Sequence, residues 1–467
     1  MQVSNMPEIP IMVLGIFCGS SKPDNVEGFL RPLVSEINHI LVQGILINET
    51  VVDIRLGAFI ADTPARAFIN GVKSYNARHG CIKCKIVGTF DESARKTLFG
   101  GTAEDRADEE FRRGEYTEHQ LRHTPLLDIN EFDIVKDIIV ADNLHILHLG
   151  LTRTLLKGYI LGSLPPLLKW TPRELKEISK LLVNVEYPSE IHRKQRALNY
   201  ITYWKGSELA AFLHHSSIPL LKNRISDRAY EHFKLFFLAA NILSSKLFEQ
   251  YWEYAGQLLQ QFVSEFSTVY SRNYLTSNIH NLLHIPADVQ RFGPLPLISS
   301  YPFENKLQYI KRLVKTGHRE LNQVVCRLTE LSELETAVEN TKEQVQYPLL
   351  KIKKEEVILQ VKPNFILRKG NRNSWFLTQG NEIVKYSKAI QSSGKFFIEG
   401  HLVTVKYPTF TTPVSSEIIY NYTAKSSNIS ETLLTIDLES VKCKLVATSL
   451  DKGNSFNFSP LLHTFDE

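Results

Sequence analysis

The spacing of apolar residues predicts the elements of the N-terminal part of the chain. Residues 10–18 form a short apolar run, which predicts a buried strand. Apolar residues then recur every three or four positions over 26–41, which predicts an amphipathic helix that stops near Gly44. Residues 51–61 predict a second strand, and Thr63, followed by proline, predicts the start of a helix.

The rest of the chain changes character twice. Residues 91–125 are charged and irregular, which predicts a surface insertion. From about 130 to 340 the apolar spacing is almost entirely helical. After a boundary near 345–355, residues 356–467 carry short alternating runs of Val, Ile, Thr, Phe and Tyr, separated by Gly, Asn and Ser. This pattern predicts a β-rich C-terminal module.

Composition narrows the class of protein but not its function. The 467 residues are 43% hydrophobic and 22% charged, which is ordinary for a globular protein and excludes a disordered tail, a collagen-like rod and a small disulfide scaffold. The net charge of +4 is small, so any nucleic-acid surface must be a local patch. Five cysteines are too few for a disulfide framework and suggest a reducing compartment. We expect an intracellular protein with no signal peptide and no transmembrane segment.

A pair of cysteines is the first candidate site. Cys81 and Cys84 form a C-x-x-C sequence, and two thiolates on a tight turn fit tetrahedral zinc. The pair alone fits two buried cysteines without a chemical role equally well, and a redox couple is a further alternative, which would be expected to open a helix in a thioredoxin-like unit.

A pair of histidines is the second candidate site. His280 and His284 lie four residues apart, so on a helix both imidazoles share one face and can bind one ion. A metalloprotease would need Glu directly after the first histidine, where this chain has Asn281. The alternative is two ordinary core or surface histidines. If the cysteines and histidines converge, they complete a closed four-ligand zinc site, but the sequence does not establish that convergence.

Two acidic residues and one basic helix are further candidates. Asp62 follows an apolar run, at a position that faces the crevice of an open α/β sheet; the alternative is the N-cap of the next helix. Glu304 starts a helix at the edge of an apolar stripe that contains Phe303 and Leu307. The other faces of this helix are basic, with Lys306, Lys311, Arg312, Lys315 and Arg319. A carboxylate beside a basic helix suits a metal site next to a phosphate backbone; the alternative is a solvated helix with a first-turn glutamate.

Asp142 and His145 form a D-x-x-H sequence within a long apolar segment. Such a pair usually marks a capped helix with a polar contact, and His145 can equally be a core histidine with satisfied hydrogen bonds.

These features occur together in four longer segments. They are GIFCGSSKPDNVEGFLRPLVSEI, IADTPARAFINGVKSYNARHGCIKC, ADNLHILHLGLTRTLL and HNLLHIPADVQRFGPLPLISSYPFENKLQYIKRLV. In sequence and order they resemble transposases of the CACTA (En/Spm-like) group, in the insect-type "transposase domain-containing" form, over roughly residues 10–330 and the β-rich tail. The resemblance implies cut-and-paste DNA transposition by an RNase H-like core, in which three acidic residues hold two divalent metal ions.

The resemblance also assigns roles to individual residues. Asp62 matches the second acidic residue of the family and Glu304 the last, while Asp142 and His145 match a D-x-x-H signature in the helical insertion. The residues that would share one structural zinc are Cys81, Cys84, His280 and His284. The basic side chains after Glu304 would contact DNA phosphates. Besides zinc, the implied cofactor is Mg²⁺ or Mn²⁺, the implied partners are DNA and a further copy of the chain, and the implied location is the nucleus.

The resemblance predicts four segments of chain. They are a partial RNase H-like core with the first zinc half-site (1–90), a mostly helical insertion (91–275), helices that return to the core with the second half-site and the last acidic residue (276–345), and the β-rich module (346–467).

One departure from the family affects the expected activity. The family carries its first catalytic aspartate in a segment resembling D-G-L-P-x-F, which does not occur here, and the only aspartates before Asp62 are Asp24 and Asp53, neither a good substitute. The family's N-terminal DNA-binding zinc module is also absent. We therefore expect an N-terminally truncated transposase that is inactive, or nearly so, in strand transfer. The alternatives are a domesticated, non-catalytic DNA- or protein-binding factor and a zinc-stabilised scaffold without a nucleic-acid role.

Overall fold

The computed structural model describes residues 1–3, 6, 9–339, 345–353, 356–451 and 453–465. The chain divides into two units. The first consists of Met1–His145 and Leu275–Gln344, and the second of Ile146–Tyr274 and Val345–Glu467. Each unit is therefore assembled from two separate stretches of sequence.

The helical elements lie mostly before residue 340. The α-helices are α1 (Val26–Gln43), α2 (Thr63–Ile69), α3 (Asp108–Arg112), α4 (Arg153–Leu161), α5 (Pro172–Val183), α6 (Gly206–Ala211), α7 (Ser217–Leu221), α8 (Asp227–Ile242), α9 (Trp252–Val269), α10 (Ser277–His280), α11 (Ile285–Phe292), α12 (Tyr301–Leu313) and α13 (Glu320–Glu339). Turns of 3-10 helix lie at Pro125–Asp128, Leu198–Tyr203, Lys246–Tyr251, Arg272–Tyr274, Asn281–His284, Leu295–Ile298, Ser416–Ile419, Ser426–Asn428, Leu438–Ser440 and Leu462–Thr464. Two stretches have π-helical hydrogen bonding, Asn143–Thr152 and Phe212–Ser216.

The strands are short in the first unit and longer in the second. They are β1 (Ile45–Ile47), β2 (Thr50–Val52), β3 (Thr89–Asp91), β4 (Lys96–Leu98), β5 (Leu349–Lys353), β6 (Glu356–Lys362), β7 (Phe365–Leu367), β8 (Trp375–Thr378), β9 (Ile383–Ser392), β10 (Lys395–Val403), β11 (Tyr407–Pro408), β12 (Tyr422–Lys425), β13 (Ile429–Asp437), β14 (Val441–Thr448) and β15 (Ser455–Pro460).

Helix α1 confirms the first helical prediction. Its apolar side buries Val26, Leu30 and Val34. It ends at Gly44, whose φ of 69° favours glycine and whose amide donates to the carbonyl of Ile40 at 2.9 Å.

The two strands predicted near the N-terminus are largely wrong. Residues 10–18 form no strand, and Leu14 is 55% exposed. Within 51–61, only β2 is a strand, paired antiparallel with β1, and Phe59 forms an isolated parallel bridge with Ile138. An apolar run becomes a strand only when a neighbouring strand satisfies its backbone. Met12 and Met1 exchange backbone hydrogen bonds at 3.0 and 2.7 Å, but no described strand pairs with residues 10–18.

Residues 91–145 belong to the first unit. The charged stretch holds the β3–β4 hairpin and α3, whose Phe111 enters the core. That core contains Val26, Leu30, Val34, Val72, Phe111, Leu126, Ile129, Phe132, Ile134, Val135 and Ile138. The predicted surface insertion over 91–125 is therefore only partly on the surface, because a few apolar side chains anchor it.

The second unit combines helices with the β-rich module. Helices α8 and α9 pack through stacked and edge-on rings, with ring centroids 4.2 Å apart for His232 and Phe262. Eight antiparallel strands form one sheet in the order β11-β12-β15-β14-β8-β9-β10-β13, and β5-β6-β7 form another. The β-rich C-terminal module is thus confirmed.

A buried ion pair joins the helical and β-rich stretches of this unit. The Nζ of Lys444 on β14 lies 2.7 Å from both carboxylate oxygens of Glu190 and also donates to the carbonyl of Ile366 and to Oδ1 of Asn373. Both charged side chains are almost fully buried, at 0% and 5% exposure. Such a pair keeps its geometry because each buried charge has several partners.

The architecture is therefore a mixed helical fold with an antiparallel β-rich C-terminal module. The RNase H-like core stays a prediction, since the described residues of the first unit form only the β1–β2 and β3–β4 hairpins and isolated bridges. No helix in the described part of the chain combines the length and apolarity needed to cross a membrane.

Candidate metal centre

Cys81 and Cys84 lie on a tight buried turn. The amide of Cys84 points at Sγ of Cys81, 3.4 Å away. Gly80 precedes the turn, and a Cβ at that position would lie 2.5 Å from the carbonyl oxygen of Ser74, so only glycine fits. From the other side, Nε of Arg106 donates to the carbonyl of Cys81 at 3.1 Å. The turn is fixed by its own backbone and by its neighbours.

His280 and His284 lie on a nearly continuous helical segment. His280 ends α10, a 3-10 turn follows, and His284 immediately precedes α11, so the expected four-residue helical spacing is kept. The ring of Phe99 stacks on His280 with centroids 5.8 Å apart. This contact orients the first imidazole towards the cysteine turn.

The two half-sites converge. The distance from Cys84 Sγ to His280 Nε2 is 3.2 Å, that from Cys81 Sγ to His284 Nε2 is 3.4 Å, the sulfurs lie 3.6 Å apart, and the two Nε2 atoms 3.2 Å apart. Together the four ligand atoms lie within 4.8 Å of one another.

These separations match the edges of a zinc tetrahedron. With Zn–S of about 2.3 Å and Zn–N of about 2.05 Å, the edges are about 3.8 Å between sulfurs, about 3.3 Å between nitrogens and about 3.6 Å between sulfur and nitrogen. Every measured distance is within a few tenths of an ångström of its counterpart. The four side chains can therefore hold a metal ion such as zinc, with no position left open for water or substrate.

The electrostatics of the thiols are typical of a site that needs a cation. Burial opposes ionisation of Cys81, but contacts with Cys84 and both imidazoles outweigh it and lower its pKa well below the ordinary value. The hydrogen bond with Cys81 and burial both raise the pKa of Cys84. One thiolate forms readily, and a bound cation would be needed to stabilise the second.

Asp142 and His145 form a second polar centre in the same unit. Nδ1 of His145 lies 2.5 Å from Asp142 Oδ2, and Ser300 donates to the same carboxylate through Oγ at 2.7 Å and through its amide at 3.1 Å. Burial opposes ionisation of Asp142, but the hydrogen bonds from His145 and Ser300 prevail and lower its pKa. The hydrogen bond to Asp142 raises the pKa of His145.

Asp62 and Glu304 both contribute to the electrostatic environment of His145. Asp62 is exposed and caps α2, accepting a hydrogen bond from the amide of Ala65 at 2.8 Å, as the N-cap alternative anticipated. Glu304 is exposed in the first turn of α12. The negative charges of both carboxylates raise the pKa of His145, so all three groups share one electrostatic environment.

The carboxylates do not form a closed ligand set. Among the described residues, the Cys–His cluster is the group of three or more potential ligands whose atoms approach within 4.8 Å. Asp62 and Glu304 do not belong to such a group. They offer oxygen ligands to a cation only from separate elements.

The predicted apolar stripe of α12 is only partly covered, and the basic residues lie on α12 and, for Lys315 and Arg319, beyond its end at Leu313 rather than on the helix. No residue of α12 is buried, and Leu307 is 44% exposed. Lys306 and Tyr309 of α12 line a groove together with the N-terminal segment 10–16 and residues of α13. Lys306 lies over the ring of Tyr309, and no ion pair between described residues involves Lys306, Lys311, Arg312, Lys315 or Arg319. These cations are available to an anionic partner.

Two residues around the site, Asp288 and Ser300, were missed from the sequence. Lys83 and Asp288 form a buried ion pair, and Ser300 holds Asp142. Asp288 follows His284 by four residues in the same helical segment, a spacing that could have identified it. Ser300 gives no comparable signal, because a serine before a helix is ordinarily read as a cap.

Comparisons with known proteins inform only the C-terminal part. Residues 338–461 match a family model described as a domain of unknown function, DUF8592. No curated protein and no solved structure matches the chain.

Proposed function

We propose that this protein derives from a CACTA-type transposase: a zinc-stabilised, DNA-binding, nuclear protein related to cut-and-paste transposition but catalytically incomplete. The single observation that supports this most strongly is the convergence of Cys81 and Cys84 with His280 and His284. Two half-sites almost 200 positions apart are the arrangement that the family resemblance requires.

In this proposal the zinc has a structural role. Four protein ligands leave no open coordination position, so the ion would hold the turn after α2 against the segment before α12. These two segments lie close in sequence to Asp62 and Glu304. The metal would thereby limit how far the two carboxylates can separate, within an RNase H-like core.

The proposed chemistry is phosphodiester cleavage and strand transfer. Mg²⁺ or Mn²⁺, when bound, would stabilise the attacking and leaving oxygens. Asp62 and Glu304 would hold such a cation together with phosphate oxygens of DNA, as Mg²⁺ sites with one or two carboxylates usually do. His145, whose raised pKa favours the protonated form, would place a positive charge beside the same phosphate. Two carboxylates are few for two ions, so we expect weak activity at most.

DNA binding is tested with terminal inverted-repeat DNA. We expect binding that weakens steeply with salt, because lysines and arginines on α12 and the loop after it release counterions from phosphates. Binding without salt dependence, or none, would refute the DNA-binding part of the proposal and favour a scaffold. Light scattering in the same titration measures the mass of the complex and so reveals any oligomer that forms on DNA.

Cleavage is tested on the same DNA with Mn²⁺. We expect little or no strand transfer, with any residual cleavage lost in Asp62→Asn and Glu304→Gln. Asparagine keeps the N-cap of α2, so Asp62→Asn removes the charge without unfolding the helix. Robust cleavage would refute catalytic incompleteness, and residual cleavage that survives both substitutions would refute the assigned roles.

A second candidate is a domesticated factor that binds DNA or protein without catalysis. It is favoured by the N-cap role of Asp62, because that role accounts for an aspartate at this position without a bound metal. It is also favoured by the absence of a three-carboxylate cluster among the described residues. Under this candidate, Asp62→Asn and Glu304→Gln leave DNA affinity unchanged in the presence and absence of Mn²⁺. Under the first candidate, Mn²⁺ strengthens DNA binding and both substitutions remove that effect.

A further inference from the structure

Residues 137–142 form a buried segment that leads directly into Asp142. On one side the backbone pairs with Phe59, whose amide donates to Asp137 and whose carbonyl accepts from Ile139 at 3.0 Å. Nη1 of the buried Arg66 donates to the carbonyl of Ile139 at 2.7 Å. These contacts leave the amides of the next two residues directed towards α11.

The amides of Val140 and Ala141 both donate to the carboxylate of Asp288. Oδ2 of Asp288 accepts from the amide of Val140 at 2.7 Å and from that of Ala141 at 2.9 Å. Its other oxygen, Oδ1, lies 2.8 Å from Nζ of Lys83. Asp288 and Lys83 are only 3% and 7% exposed, so water does little to screen these interactions.

Both ends of this connection are tied to the metal ligands. Lys83 lies between Cys81 and Cys84, and Asp288 follows His284 by four residues in the same helical segment. An ion bound by the cysteines and histidines fixes both the lysine and the carboxylate. Because the Asp288 carboxylate accepts from the amides of residues 140 and 141, a fixed carboxylate also fixes the backbone just before Asp142.

We infer that Asp288 is a positioning residue that couples occupancy of the Cys–His site to the placement of Asp142 and His145. A buried carboxylate with three donors loses much of its stabilisation when one of them moves. Release of the ion removes the four-ligand link between the turn that carries Lys83 and the helical segment that carries Asp288. The contact between these two residues then weakens, and with it the two amide bonds at 140 and 141. The role of His145 rests on the proposed function, whereas the coupling concerns only this chain and its metal.

The coupling is tested by hydrogen exchange on the full chain without DNA. Exchange of a peptide spanning 137–142 is measured by mass spectrometry with Zn²⁺ and after chelation, in the wild type and in Asp288→Asn. In the wild type, we expect chelation to speed exchange at least tenfold. In Asp288→Asn, exchange is fast with zinc bound and changes less than twofold on chelation. Because coupling is reciprocal, zinc affinity should fall by about the same factor, roughly tenfold.

Two further variants separate coupling from general destabilisation. Arg291→Gln removes an ion pair with Asp137 from the same helix but leaves Asp288 in place, so its exchange should keep the wild-type zinc dependence. Lys83→Gln keeps both amide bonds to Asp288 but removes the ion pair that links this carboxylate to the cysteine turn, together with the 3.2 Å contact from Nζ to the carbonyl of Lys136. It should therefore lose most of the zinc dependence even if Asp288→Asn fails to fold.

The inference is overturned if Asp288→Asn, or Lys83→Gln where the former does not fold, retains the wild-type zinc dependence of exchange. It is also overturned if chelation leaves exchange at 137–142 unchanged in the wild type. Because no DNA is present, these outcomes are independent of the DNA-binding and cleavage tests of the proposed function.

Discussion

Substitution of Cys84 by serine tests the metal centre most sharply among single changes. Cys84 Sγ is 3.2 Å from one imidazole nitrogen and 3.6 Å from the other sulfur, so it contributes one corner of the tetrahedron. Serine keeps the size and the turn but is a poor zinc ligand. Three ligands then remain: Cys81, His280 and His284.

The expected effect follows from binding linkage. A ligand present at about 1,000 times its dissociation constant stabilises the folded state by about 4.1 kcal/mol. The first unit falls in the size range of about 150–250 residues, where each kcal/mol shifts the midpoint by about 2–4 °C. Chelation should therefore lower the wild-type midpoint by roughly 8–16 °C, and the variant should start near that lower value.

The assay is thermal unfolding followed by calorimetry, with zinc and with a chelator. Cys326→Ser is the matched control, because Cys326 is an exposed cysteine on α13 outside the cluster. The control should respond to chelation as the wild type does, whereas Cys84→Ser should not respond. A wild-type midpoint that chelation leaves unchanged, or a chelator response that survives in Cys84→Ser, would refute the reasoning.

Three other predictions concern separate parts of the chain. Lys444→Met leaves the buried Glu190 carboxylate without its partner and should reduce the unfolding free energy of the second unit by about 3–5 kcal/mol in denaturant titration. Lys388→Met, at a pair whose lysine is 52% exposed, should cost less than about 1 kcal/mol. Arg312→Ala should weaken DNA binding for all sequences alike and lower the slope of log affinity against log salt by about 1; an unchanged slope would exclude a phosphate contact. The hydrogen bond to Asp142 raises the pKa of His145 above 6.5, so the stability that this bond contributes is fully present below pH 6.5 and is lost as the pH rises through the folded-state pKa. His145→Gln should remove that part of the pH dependence of unfolding. An unchanged profile of unfolding free energy against pH would contradict the assigned role of this hydrogen bond.

The ligand residues of the metal centre could be chosen from sequence because each half-site has a local signature. Cys81 and Cys84 fit a turn, and His280 and His284 fit one helical face. Their convergence could not be derived from spacing, because it depends on how distant segments pack. The resemblance to a family supplied that expectation, and the measured distances show that the four side chains meet.

The fold was predicted well where the local pattern also determines burial. Helix α1 and the β-rich module have regular apolar spacing and clear glycine or polar breaks. The strand predicted over residues 10–18 was wrong and the apolar stripe of α12 is only partly covered, because apolar character does not specify a partner. Asp288 was missed for a related reason: its importance lies in the backbone amides of a segment almost 150 positions away.

X-ray absorption spectroscopy at the zinc edge, on the purified full chain with its metal content measured, tests the central claim most directly. The account predicts one zinc per chain, with two sulfur ligands at about 2.3 Å and two imidazole nitrogens at about 2.0–2.1 Å. A chain that takes up no zinc, or one whose zinc has sulfur ligands without imidazole, would contradict it.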